Sequence, residues 1–198
     1  MTRLQQEFGA EVLLLSCHVD YWDSLGWTDT FTSGACTERQ KRYGDVFQQD
    51  SIYTPEMVMD GEVGFVGSDG GRARDEIRAR LARRRPAASL TLQASGASSA
   101  TLAIHLPPDL LRQARKVSVF VVEDAAPVHV LKGENAGATL GGENAVRGVA
   151  DYSVKEVMGT ALRLSLPAGA NASHTRVAVL IQGAGTTLLA AVSSPWPR

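Results

Sequence analysis

Glu11-Val12-Leu13-Leu14-Leu15-Ser16-Cys17-His18-Val19 is the stretch on which the fold turns. Its near-continuous apolar run is what a strand buried on both faces of a sheet presents. Before it, residues 2–8 read as the end of a helix closed by Gly9. After it comes a loop over 20–33, then a helix over 37–47 with Tyr43 and Phe47 one turn apart. Thr54-Pro55-Glu56-Met57-Val58-Met59-Asp60-Gly61-Glu62-Val63 reads as a strand, an Asp-Gly turn and a second strand. Ser68 or Asp69 then caps a helix that runs to residue 84. The order α-β-α-β-β-α predicts an α/β layer on a mixed sheet.

Beyond Pro86 the character of the chain changes. Residues 1–86 carry 11 Lys/Arg and 14 Asp/Glu and hold most of the aromatic side chains. Residues 87–198 carry 9 and 7, and are rich in Ala, Gly, Ser, Thr, Val and Leu. Short apolar runs at 88–92, 100–106, 117–123, 128–131, 161–166, 177–182 and 188–192, separated by turn residues, predict a β-sandwich. Arg83-Arg84-Arg85-Pro86 marks the boundary, because cations suit a helix C-terminus and proline cannot continue the helix. We therefore expect two domains, 1–86 and 87–198.

The whole chain has 198 residues and a formal net charge of −1. That balance gives no electrostatic reason to expect a nucleic-acid partner or an anionic membrane surface. No apolar run is long enough for a membrane-spanning helix, and the first twenty residues do not read as a signal peptide. Two cysteines are too few for a disulfide scaffold. The glycines at 61, 64, 67, 70 and 71 do not make a nucleotide-binding loop, because no Gly-x-Gly-x-x-Gly follows a strand and no Gly-Lys-Ser/Thr element is present.

Several motifs, taken together, are distinctive. They are His18-Val-Asp-Tyr-Trp-Asp23, Leu25-Gly-Trp27, Phe31, Arg39-Gln40, Tyr43, Tyr53-Thr-Pro-Glu-Met-Val58 and Phe65-Val-Gly-Ser-Asp69, followed by Lys132-Gly-Glu-Asn-Ala-Gly-Ala-Thr-Leu140 and Asn144-Ala-Val-Arg147. The set resembles the bacterial family called domain of unknown function 1223, whose members look like exported, periplasmic thioredoxin-like proteins. The resemblance implies a thioredoxin-like α/β domain followed by a β-sandwich-like domain. It also implies a cis peptide bond at Thr54-Pro55, whose neighbouring backbone would pair with an extended substrate. Family members open with a strand and a Cys-x-x-Cys motif; this chain begins inside the helix that should follow, so the first strand and the dithiol are expected to be missing. Two explanations stay open: the native gene starts upstream, or this is a truncated, non-redox relative.

The candidate groove comprises His18, Asp20, Trp22, Tyr53, Thr54 and Pro55. On an extended chain His18 and Asp20 point to one face, so a carboxylate could hold the imidazole in one tautomer, or the pair could ligate a metal. The alternative is a hydrogen-bond cluster, with Asp23, that fixes the 20–33 loop with Tyr21, Trp22 and Trp27 as its apolar packing. A zinc site would need carboxylates or Cys17 to complete it, and neither metal nor cofactor is expected. Glu134, Asn135, Asn144 and Arg147 form a possible interdomain polar site; otherwise they belong to a loop in which Arg147 pairs with Glu134 or Glu143. Cys17 is expected as a small buried apolar residue and Cys36 as a free surface thiol. His105, His129 and His174 form no grouping with chemistry. The functional expectation is a binding or assembly module for a protein or peptide, without redox activity in the chain as given. The other reading is a thiol–disulfide oxidoreductase whose Cys-x-x-Cys lies upstream.

Overall fold

Leu4 and Phe8 lie one turn apart on the first helix, and both are buried. The computed structural model describes residues 2–25, 28–83, 85–130, 137 and 139–198. Trp27, Arg84, Leu131, Glu134 and Asn135 lie outside the described residues. Helix α1 (Thr2–Phe8) is followed by a 3-10 turn (Gly9–Glu11). Helix α2 (Gly34–Val46) starts earlier than the sequence suggested, because Ser33 caps it: its hydroxyl accepts the Ala35 N–H. Tyr43 and Phe47 stack at 5.7 Å along it. Strands β1 (Glu56–Met59) and β2 (Val63–Val66) pair antiparallel across the Asp60-Gly61 turn, where both residues have positive φ, as the central residues of a type I′ turn require. Helix α3 (Gly70–Leu81) is capped by Asp69, whose carboxylate accepts the Arg72 N–H at 2.9 Å. Phe65, Ala73 and Ile77 join Leu4 and Phe8 in one apolar cluster.

Residues 12–19 are not a ladder strand. They run extended and are half-buried at 12–15, and among the described residues they make two isolated parallel bridges, Ser16 to Ala145 and His18 to Thr32. Their side chains still alternate. Val12 and Leu14 pack on the α1–α3 cluster, while Leu13 and Leu15 pack on Cys36, Phe120, Val122, Val146 and Ala178. An apolar run of this kind needs an apolar surface on each side. Here those surfaces are a helical layer and a β-sheet from the later half of the chain, not two faces of one sheet.

The later half builds two antiparallel sheets. One has the order β3 (Ser89–Gly96), β4 (Ser99–His105), β7 (Leu162–Ser165). Between them in sequence lie helix α4 (Pro108–Gln113), β5 (Lys116–His129), β6 (Thr139–Ser153) and helix α5 (Val154–Val157). The second sheet has the order β6-β5-β8-β9, with β8 at Thr175–Gln182 and β9 at Leu188–Pro195. Leu102 and Ile104 of the first sheet meet Val117, Val119, Val179 and Ile181 of the second in the largest apolar cluster. On the opposite face of β5 and β8, Phe120, Val122 and Ala178 meet Cys36 of α2. These central strands, covered on both sides, are the ones whose continuous apolar runs mark double burial.

Two expectations change here. The run at 117–123 and the start of the run at 128–131, Val128 and His129, belong to one 14-residue strand, interrupted by register shifts after Val121, Glu123 and Ala125. Its partner β6 includes Asn144 and Arg147, which could otherwise have belonged to a loop. Gly142 is required there, because a Cβ would come within 2.8 Å of the Ala125 carbonyl oxygen, and Asn144 takes φ of 55° at a bulge. Glycine and asparagine in this segment serve an irregular ladder, not a turn.

The β1–β2 turn locks onto the β8–β9 connection. Leu188 N–H donates to Asp60 O at 2.8 Å, and the Thr186 hydroxyl donates to Gly61 O at 2.5 Å. Arg85 donates to Leu188 O at 2.6 Å and pairs with the Asp60 carboxylate. Arg39 of α2, 7% exposed, makes the second tie. It donates to the Ser118 hydroxyl at 3.2 Å and to Tyr43 at 3.0 Å, and its guanidinium lies 5.0 Å from the Phe120 ring centroid.

Candidate functional site

The 18–33 segment crosses from the extended stretch to α2, and its shape is set by carboxylates. His18 Nδ1 donates to Asp29 Oδ2 at 2.5 Å, and Nε2 lies 3.3 Å from the Ser16 hydroxyl. The carboxylate at Nδ1 holds a ring proton there. Burial pushes the Asp29 carboxyl up, but the His18 and Phe31 N–H bonds and the imidazole charge outweigh it and hold it below the ordinary range. Phe31 meets the imidazole edge-on at 5.5 Å.

Asp20 is not the partner of His18. Its carboxylate accepts from the Thr37 hydroxyl at 2.6 Å, and that same oxygen accepts the Asp20 N–H at 3.1 Å. Sharing a strand face is no help once the chain turns after residue 19. Asp23 accepts the Asp29 N–H at 3.3 Å and the Thr32 hydroxyl at 2.9 Å. Three carboxylates thus fasten the loop to itself and to α2. Among the described residues, no three His, Cys, Asp or Glu side chains converge as a metal would require.

Trp22 stands out on the surface. Its indole is 50% exposed, yet its Nε1–H donates to Thr54 Oγ1 at 3.1 Å. The Thr54-Pro55 peptide bond is cis, and both residues are exposed. Gln40, 9% exposed, sits beneath: it accepts from Tyr21 at 2.9 Å and donates to Tyr53 O at 2.7 Å and Glu56 at 3.2 Å. Burial, with the Glu56 carboxylate nearby, raises the pKa of both Tyr21 and Tyr53. Tyr53, Thr54, Pro55 and Trp22 therefore form one surface, while His18 and Asp20 are committed to holding the loop that carries Trp22. Gly67 N–H donates to Pro55 O at 2.8 Å, and Gly67 also borders a cleft of ≈ 390 Å³ lined by Leu4, Met57, Ser68 and Arg74.

The cysteines differ from expectation in both pairing and exposure. Cys17 and Cys36 are joined by a disulfide with Cα atoms 5.4 Å apart. Cys17 is the exposed member, and Cys36 is 1% exposed, so neither the buried apolar Cys17 nor the free surface thiol at Cys36 stands. The reason is the docking of residues 12–19 beside α2, which no local pattern encodes.

Asn144 and Arg147 both lie where the 12–33 segment meets β6. Asn144 O accepts the Ser16 N–H at 2.8 Å, and its side-chain oxygen accepts from Arg176. Arg147 pairs with Glu123 and lies over the Phe31 ring at 5.2 Å; Glu134, one of its expected partners, lies outside the described residues. Glu123, 5% exposed, also accepts the Asn171 N–H at 2.7 Å. Sequence reasoning did not single out Ser16, Asp29 or the disulfide. The presence of two cysteines was the one usable signal.

These features define a mixed α/β protein with antiparallel sheets and no barrel. The chain belongs to the family described as protein of unknown function DUF1223, whose profile matches residues 1–182. It is similar to the crystal structure of protein AGR_C_4864 from Agrobacterium tumefaciens, with TM-score 0.61 and 25% sequence identity, covering 97% of this chain and 82% of that one. No curated protein matches the chain. Among the described residues, no helix is long and apolar enough to cross a membrane.

Proposed function

We propose that this chain is a binding module: a thioredoxin-like part over 1–86, carried on a β-sandwich over 87–198, that presents an extended polypeptide with the surface formed by Trp22, Tyr53, Thr54 and Pro55. The observation that supports this reading is Trp22, a half-exposed indole held in one orientation by its bond to Thr54. A large aromatic kept rigid in water loses little entropy when a partner covers it, and such residues dominate binding energy. The cleft bordered by Gly67, whose N–H donates to Pro55 O, offers apolar Leu4 and Met57 beside cationic Arg74. An exported location fits the Cys17–Cys36 disulfide, since disulfides persist in oxidising compartments.

The test is selection from a library of random-sequence peptides on the folded protein, followed by titration of an enriched peptide. Trp22→Ala is expected to weaken its binding by about thirtyfold, the scale of a hot-spot aromatic. No enrichment, or equal binding by both proteins, rejects the reading.

A further inference from the structure

The Cys17–Cys36 disulfide runs from the surface into the core. Cys17 is exposed. Cys36 is 1% exposed and packs against Phe120, Val122, Val146 and Ala178. Thiol–disulfide exchange requires the attacking sulfur to approach one sulfur of the pair and expel the other. Only the Cys17 end is open to such an approach; the Cys36 end is closed by the second sheet.

We propose that Cys17 is an exchange site for low-molecular-weight thiols, with Cys36 as the obligate leaving group. The thiolate of a molecule such as glutathione attacks Cys17 Sγ. A new S–S bond forms there, the Cys17–Cys36 bond breaks, and its electron pair leaves on Cys36 Sγ, which then takes a proton. The glutathione sulfur is oxidised and the Cys36 sulfur is reduced, so the step balances with no further reagent. Cys36 lies in the first turn of α2, behind the Ser33 cap, where the helix dipole offsets part of the cost that apolar burial sets on the departing thiolate, and prompt protonation removes the charge. Apolar packing around Cys36 bars a second thiol from reaching it. The step confines modification to one cysteine and frees the loop that carries Trp22 from its covalent tie to α2. This inference does not depend on the peptide-binding reading.

Folded, oxidised protein is incubated with excess reduced glutathione, quenched with an alkylating agent and peptide-mapped, with circular dichroism confirming that it stays folded. Glutathione is expected on Cys17, with Cys36 recovered as a thiol. Two variants, Cys36→Ser and Cys17→Ser, are then reacted with oxidised glutathione. The remaining Cys36 thiol is expected to react slower than the remaining Cys17 thiol by about a hundredfold, since it must wait for the core to open. Denaturant should abolish the difference. A disulfide that opens only in denaturant overturns the proposal, as does glutathione found on Cys36. If exchange leaves both cysteines as free thiols with no adduct captured, the variant rates decide: equal rates in the folded state overturn it.

Discussion

His18 donates through Nδ1 to a carboxylate eleven residues further along the chain, that of Asp29, at 2.5 Å. The bond closes the loop that carries Trp22. Asp29→Asn should destabilise the protein by about 1–3 kcal/mol, the range for losing a partly buried charge-assisted hydrogen bond. The pH dependence follows from the lowered Asp29 pKa. A carboxyl depressed in the folded state stabilises fully above its unfolded value and loses that contribution as pH falls through the folded value. The stability gap between wild type and Asp29→Asn should hold steady above pH of about 5 and shrink toward pH of about 3 or below. Denaturant unfolding across that range measures it, and a gap that widens on acidification rejects the assignment.

Gly61→Ala tests the tie between the β1–β2 turn and the β8–β9 connection. Gly61 has φ of +67°, and an added Cβ would fall 1.9 Å from Thr186 O, so the turn must move away. A loss of about 2 kcal/mol or more is expected from the strained backbone and the broken contacts. Thermal unfolding should show Tm lower by roughly 4 °C or more in a chain of this size.

Arg39 is buried between α2 and the second sheet, where Ser118, Tyr43 and the 3.6 Å approach to Asp151 share its charge. Arg39→Ala removes the donor to Ser118 and Tyr43 and the packing on Phe120, while Asp151 keeps Lys116, Arg42 and Ser118, and should cost about 1–3 kcal/mol. Lysine is not expected to rescue it, because a point charge replaces neither the forked donors nor the planar stacking on Phe120 and Tyr43. Denaturant melts of the three proteins decide the matter.

Removing the disulfide by Cys17→Ala with Cys36→Ala should lower stability by about 3 kcal/mol, the loop-closure effect for a cross-link of this span. Comparing that double variant with wild type under oxidising and reducing conditions checks it: reduction should narrow the gap.

Trp22→Ala should leave stability within about 0.5 kcal/mol, because a half-exposed side chain with one surface hydrogen bond contributes little to folding. A fall in Tm comparable to that of Gly61→Ala would place Trp22 in the fold instead of at a binding surface.

Helices α1 to α3 and the Asp60-Gly61 hairpin were legible because their signals are local. The Asp69 cap, the Tyr43–Phe47 spacing and the positive φ of an Asp-Gly turn act within a few residues, whereas the Ser33 cap and the short helices α4 and α5 were not read. The seven apolar runs after Pro86 announced β structure for the same reason. Strand β6 was hidden because its glycines and Asn144 serve bulges whose need arises only from the paired strand. The run at 12–15 carried a true message, apolar contact on two sides, without saying what supplied those sides.

Trp22, Tyr53, Thr54 and Pro55 could be named as a candidate surface through the family resemblance carried by their motifs. Their assembly into one patch, the Asp29 partner of His18 and the Cys17–Cys36 bond could not. Each joins residues 11 to 32 positions apart, and the distance between such residues depends on how layers dock. Local physics set the elements, since capping, turns and periodicity are decided within a turn or two of backbone. The docking of residues 12–19 between α1–α3 and the second sheet settled the rest, because burial and bonding between distant residues exist only once that surface has formed.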